Sequence, residues 1–198
     1  MPRGRAANFD LQRQTILQQA AELFAARGYT GTSMLELAAA LGISKALLYH
    51  YCTEKYQLLR EIAESHIDRL CAVTAQPDTL EALIQRVVGE YAEARFHHHV
   101  LVQDIKYLKA DDRARILAKE RQVVAAFARA IAAEQPALAV AALEKPLTML
   151  LFGMINWLFT WFRADGSLSY ADIAALVTRF ALGGLREVAR RDPGAYRG

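Results

Sequence analysis

Between Thr32 and Tyr51 the chain carries two helical stretches of seven to eight residues joined by a Gly42-Ile43 turn. Ser33-Met34-Leu35-Glu36 reads as a capping box, in which the Ser oxygen and the Glu carboxylate each satisfy an orphan amide. Ser44 caps the second stretch. Met34, Leu37, Ala38 and Leu41 face inward from the first, and Leu48 and Tyr51 from the second. Helices this short do not persist alone, because the first hydrogen-bonded turn is costly to form. The segment therefore demands longer helices on either side to hold it.

Those flanking helices are legible. Asp10 is the expected cap of a first helix whose inner face is Ile16, Ala20, Leu23 and Phe24, and Gly28 stops it. Thr53 is the expected cap of a fourth helix running to about Thr74. Further helices follow from Asp78-Thr79-Leu80-Glu81, over Val100 to Leu108, and from Asp111 to about Glu134. Pro146 suits the first turn of an apolar helix reaching Phe162. Ser169-Tyr170-Ala171-Asp172 starts the last helix, and the tail after Pro193 is expected to fray. The expectation is an all-α chain of about nine helices. Its three short N-terminal helices give way near residue 54 to longer ones, which sets domains at 1–54 and 55–198.

Composition narrows the class. The 198 residues are 54% hydrophobic and 23% charged, a globular balance. Net charge is only +3, so an anionic partner must be met by a local patch. Residues 1–60 supply it: seven basic side chains stand there against four acidic ones. The two cysteines, Cys52 and Cys71, form no Cys-x-x-Cys. The start Met-Pro-Arg-Gly-Arg has no apolar signal core behind it, so a reduced cytoplasmic home is expected. Leu147 to Phe162 is uncharged but shorter than the ~20 residues that span a bilayer, so it is read as a buried helix and no membrane is expected.

A held pair of short helices can push the second into the major groove of duplex DNA. Ser33 and Ser44 sit at helix N-termini, where free amides and the dipole favour phosphate. Lys45 leads the second helix, Tyr49 and His50 add a phenol and an imidazole, and Lys55 opens the next helix. Leu47, opposite the core, suits a thymine methyl. Spacing alone leaves a plain helical core open as the alternative.

Gly28-Tyr29-Thr30-Gly31-Thr32-Ser33, Leu37-Ala38, Leu41-Gly42-Ile43-Ser44, Leu48-Tyr49-His50-Tyr51, and Lys55 with Leu58-Leu59 resemble the N-terminal signature of the TetR family over about residues 10–62. Ala46 stands where Gly is common in that family, and Cys52 where Phe is common. The resemblance implies an all-α homodimer that presents one recognition helix to each half of a palindromic operator. A small-molecule effector then releases the DNA, with repression the family default. It implies DNA contacts from Thr32, Ser33, Lys45, Leu47, Tyr49, His50 and Lys55, with Ser44 and Ala46 as neighbours.

The helix from Pro146 is apolar on nearly every side and needs cover on more than one. Gly153 on it and Gly183-Gly184 on the last helix each cost roughly 1 kcal/mol relative to Ala. Close approach across a subunit contact accounts for them, as does crowding within one chain. Asn156 is read either as fixing helix register or as bonding an effector, and Trp157 and Trp161 as core before pocket. Asn156-Trp157-Leu158-Phe159-Thr160-Trp161-Phe162-Arg163, Asp165-Gly166-Ser167-Leu168-Ser169 and Val102-Gln103-Asp104-Ile105-Lys106-Tyr107-Leu108 are similar to TetR-type regulators of fatty-acid, sterol or phenylacetate breakdown. That resemblance implies an acyl-CoA effector in an apolar tunnel, with Tyr107, Phe127, Phe152, Asn156 and Trp157 as candidate contacts. The alternative in the same family is a multidrug or aromatic effector.

No cofactor or metal is expected. Consecutive residues on a helix point about 100° apart, so His97-His98-His99 do not converge on one ion. The chain has no Gly-rich phosphate loop, Gly-x-Ser-x-Gly elbow or metal-spaced His pair, which argues against an enzyme. A helical protein-interaction module without DNA binding is the alternative from another class.

Overall fold

The structure, a computed structural model, describes residues 3–163 and 165–191. Those residues form helices and no strand: α1 (Arg3–Arg27), α2 (Met34–Ala40), α3 (Lys45–Tyr51), α4 (Lys55–Thr74), α5 (Leu80–Glu93) and α6 (Arg95–Gln103). A 3-10 turn (Ile105–Tyr107) leads to α7 (Ala110–Glu134), α8 (Pro136–Val140), α9 (Glu144–Asn156), α10 (Leu158–Trp161) and α11 (Tyr170–Arg190). No helix among them is long and apolar enough to cross a membrane.

The expected caps are in place on α2, α3 and α11, whereas the amide and hydroxyl of Thr53 both donate to the Gln57 side chain. Ser33 and Glu36 form a capping box on α2, Ser169 and Asp172 form one on α11, and Ser44 accepts the Leu47 amide on α3. Gly28 and Gly42 take φ of +75° and +64°, the left-handed turn that ends a helix without a Cβ penalty.

Several boundaries differ from expectation, among them that of α6, which runs from Arg95 to Gln103 where a helix over Val100 to Leu108 was expected. Helix α1 begins at Arg3, so Asp10 lies inside it and caps nothing. Helix α8, five residues opened by Pro136, was not signalled by any periodicity. The apolar run is broken at Trp157, where the Thr160 amide bonds the Trp157 carbonyl in an i→i+3 step and the Thr160 hydroxyl donates to the same oxygen at 2.7 Å. A side chain that takes a backbone carbonyl competes with the helical ladder. The tail after Pro193 lies outside the described residues.

The chain divides into two compact units, residues 1–67 with 94–116, and 68–93 with 117–198. The split expected at residue 54 falls inside the first unit, because Leu58, Leu59 and Ile62 of α4 are fully buried there. Its core joins them to Ile16, Ala20 and Phe24 of α1, Leu37 of α2 and Leu48 of α3, and α1 also packs along α6. In the second unit α11 packs on α5, α8 and α9, and Ile84, Val87, Phe127, Ile131, Leu151 and Ile155 are buried.

Candidate nucleic-acid interface and effector core

Helix α3 is a seven-residue rod made by its neighbours. Leu48 is its one fully buried side chain, while Lys45, Ala46, Leu47, Tyr49 and His50 are all exposed. Leu47 and Tyr49 show 42% and 41% of their surface to solvent, unusual for groups that burial would stabilise by roughly 1.5–3 kcal/mol. The Lys45 ammonium lies 5.7 Å from the centre of the Tyr49 ring, so one face offers a cation, a phenol, an imidazole and an aliphatic branch. On α2, Leu35 is 65% exposed beside the Ser33 cap. The inward-facing pattern of Met34, Leu37, Ala38 and Leu41 does not point to it.

Arg13 fixes the far end of α3. Its guanidinium donates to the Tyr51 carbonyl and pairs with Glu61, tying α1 to α3 and α4. A cation at a helix C-terminus also complements the dipole. The Phe9 ring packs on Tyr51 at 4.8 Å and on His50 at 6.1 Å. Neither residue carries a motif signal in the sequence, because the partners lie about forty residues away.

Two expected contact residues also have internal partners. Thr32 is buried and its hydroxyl donates to the Gly28 carbonyl at 3.0 Å. Lys55 donates to the Tyr29 and Thr32 carbonyls at 2.7 Å each and lies 4.3 Å over the Tyr29 ring. Burial pulls the Lys55 ammonium below its ordinary pKa. Both residues hold the α1–α2 turn because its exposed carbonyls need donors.

In the second unit Phe127 and Phe152 stack with centroids 4.9 Å apart. One turn along α9, Asn156 accepts the Tyr91 hydroxyl at 2.6 Å. Burial, reinforced by the Glu120 charge, pushes the Tyr91 phenol far above its ordinary range. Burial also pushes the Glu120 carboxyl up. Phe127, Phe152 and Asn156 thus come together, joined by Tyr91 and Glu120. Neither Tyr91 nor Glu120 was among the expected contacts. Tyr107 belongs to the first unit, where its ring packs on Tyr29 at 5.5 Å.

Trp157 departs from the core expectation. It is 58% exposed and lines an open apolar groove of about 480 Å³ with Gly153, Trp161, Leu176 and Phe180. A Cβ added at Gly153, Gly183 or Gly184 would meet no atom within 4 Å. Crowding within the chain therefore does not explain these glycines. Among the described residues no His, Cys, Asp and Glu group could hold a metal ion. His98 instead meets His66 at 3.3 Å, both buried.

The model of the tetR family of bacterial regulatory proteins matches residues 16–62, and a tetracyclin repressor-like C-terminal domain matches residues 74–185. The chain belongs to the TetR family. Its members are transcriptional regulators that bind DNA, not enzymes. A TetR-family transcriptional regulator from Bordetella parapertussis is 34% identical, with a TM-score of 0.80 over 86% of this chain and 93% of that one. AibR, solved in complex with isovaleryl coenzyme A and operator DNA, is 26% identical, with a TM-score of 0.70 over 84% and 96%. The transcriptional repressor KstR2 of Mycolicibacterium smegmatis is 32% identical over 95 residues, 46% of each chain. The transcriptional activator FasR of the same species is 34% identical over 74 residues, 37% of this TetR chain. The match spans only 46% and 34% of the lengths of those two relatives.

Proposed function

We propose that this TetR regulator is a homodimeric repressor that reads a palindromic operator with α3 and leaves it on binding an acyl-CoA thioester. The observation that carries the DNA reading is the outer face of α3, where five consecutive-turn residues stand exposed on a helix held at both ends. Ser33 and Ser44 add helix N-termini that favour phosphate. Thr32 and Lys55 serve the same surface by fixing its first turn. Two such heads related by a two-fold axis meet half-sites one helical turn apart, about 34–36 Å. The uncovered groove at Trp157, Trp161 and Phe180 is where a second copy supplies the missing cover, since apolar patches of this kind mark interaction surfaces.

The effector reading rests on two supports. AibR, similar along most of its length, was solved with isovaleryl coenzyme A and operator DNA together. This chain has an apolar core at Phe127 and Phe152 with the Tyr91–Asn156 pair beside it, which suits an acyl chain carried on a polar head. Repression follows the KstR2 relatives.

The test uses a duplex that the protein itself selects from a random-sequence pool. Its affinity falls steeply with salt, with a slope near −0.9 for each phosphate neutralised, and Lys45→Ala and Tyr49→Phe weaken it. One acyl-CoA class raises the melting temperature and releases the duplex, while coenzyme A alone does neither. Release by aromatic compounds and by no thioester overturns the effector class. Selection of no duplex overturns the DNA reading.

A further inference from the structure

The turn from Gly28 to Thr32 is where α1 hands over to the DNA-reading pair, and Ser33, the cap of α2, follows it directly. Its local shape is set from within: the Thr32 hydroxyl bonds the Gly28 carbonyl, and Ser33 and Glu36 bond each other. Its placement is set from outside, by two elements remote in sequence. From α4, Lys55 holds the Tyr29 and Thr32 carbonyls. From the end of α6, the Asp104 carboxyl faces the Tyr29 backbone amide. The Tyr107 ring lies on the Tyr29 ring, 32° from parallel.

Asp104 and Tyr107 are the two ends of one tight turn, since the Tyr107 amide donates to the Asp104 carbonyl at 3.0 Å. Helix α6 does not need the Asp104 side chain to end. Its closing bond is made by the Asp104 backbone amide to the Val100 carbonyl at 2.9 Å. The carboxylate is also an expensive group to keep there. It is 5% exposed, and its Oδ2 finds no hydrogen-bond partner among the described residues. Burial pushes its pKa up against the pull of His99 and Lys106, the nearby cationic groups. A buried acid of this kind is costly unless paired and fully hydrogen-bonded, so its role is to be found in what it fixes rather than in stability.

We propose that Asp104 and Tyr107 form a latch between the end of α6 and the Tyr29–Thr32 turn, with Asp104 the positioning residue that sets the helix-turn-helix for operator binding. The latch goes beyond the proposed function and uses only its DNA-reading part. It gives any event that shifts the end of α6 a direct hold on the Ser33 cap. It also gives Tyr107 a task other than effector contact.

The test compares Asp104→Ala, Asp104→Asn, Tyr107→Ala and Tyr107→Phe on the duplex selected by the parent protein. The two Ala variants bind it about tenfold more weakly, equivalent to about 1.4 kcal/mol, with no fall in melting temperature. Asp104→Asn keeps an acceptor for the Tyr29 amide and Tyr107→Phe keeps the ring, so both restore binding. Hydrogen exchange without DNA reads the latch itself: the peptide over residues 29–37 exchanges faster in Asp104→Ala and returns to the parent rate in Asp104→Asn. Unchanged exchange in Asp104→Ala overturns the latch, whatever becomes of DNA binding. Faster exchange with parental affinity for the duplex overturns the positioning role, as does a weakened affinity matched by a melting temperature that falls in step and is not restored by Asn.

Discussion

Phe180 is the sharpest probe of the proposed self-association. It stands 72% exposed on α11, at the meeting of the main apolar groove and a smaller one lined by Leu150, Gly184 and Leu185. An aromatic side chain has about 150–250 Å² to bury, so about 140 Å² of Phe180 awaits cover. Truncation to Ala removes about 100 Å² of that. At about 25 cal/mol per Å² this is worth about 2.5 kcal/mol per copy. A two-fold contact counts it twice, about 5 kcal/mol, if both rings are fully covered. Since about 1.4 kcal/mol is a factor of ten, Phe180→Ala weakens dimerisation by three to four orders of magnitude at most. Sedimentation equilibrium over a dilution series reads this directly. The monomer keeps its helix content, because Phe180 supports little inside its own chain. A Phe180→Ala protein that dissociates within about threefold of the parent would refute the placing of the second copy on this face.

Gly31 offers a test of backbone fit: a Cβ there would lie 2.4 Å from the Arg27 carbonyl oxygen. Gly31→Ala costs about 1–3 kcal/mol of overpacking and lowers the melting temperature by roughly 2–12 °C, whereas Gly89→Ala, in open space on α5, raises it; equal melting of the two variants refutes the fit. The pH dependence has two signs. Hydrogen bonds from Ser33 and Ser169 hold Glu36 and Asp172 below the usual carboxylate range, so their contribution is complete above about pH 5 and is lost as pH falls toward and through the lowered values. Burial raises Asp104 and Glu120, so each costs stability when ionised and relieves that cost as pH falls from neutral toward their raised values. Glu120→Gln therefore melts higher than the parent at pH 7 and loses this advantage in acid, and a Glu120→Gln melting curve parallel to the parent's at every pH contradicts the assignment.

The reading head was legible because its signals are local. A Ser three residues before a Glu, or a Gly at a helix stop, acts through hydrogen bonds that close within one turn, and Ser33, Ser44, Gly28 and Gly42 all behave as their types dictate. What failed was reach. Asp10 looked like a start because the stretch before it has no periodic apolar face, yet α1 already runs from Arg3. Arg13 and Asp104 act on partners that only the fold supplies. Thr32 and Lys55, for which the resemblance implied DNA contacts, also hold carbonyls of the α1–α2 turn, a pairing that a pattern of residue types does not reveal. Trp157 and Trp161 show a further gap: core and subunit face call for the same aromatic spacing, and a single chain's sequence gives no sign of which one covers them.

The double grip of Arg13 on Tyr51 and Glu61 bears on modularity. The seven-residue α3 has its end closed by α1, and α1 is held in turn by a residue of α4 that lies beyond the expected boundary. A chimera cut at residue 54 would leave Arg13 with half its partners and the head without Leu58, Leu59 and Ile62. The portable piece is discontinuous, residues 1–67 together with 94–116. Transplanting this head thus means grafting two segments at once, and on the proposed reading of α3 its specificity is more readily re-engineered by changing the outer face of that helix in place.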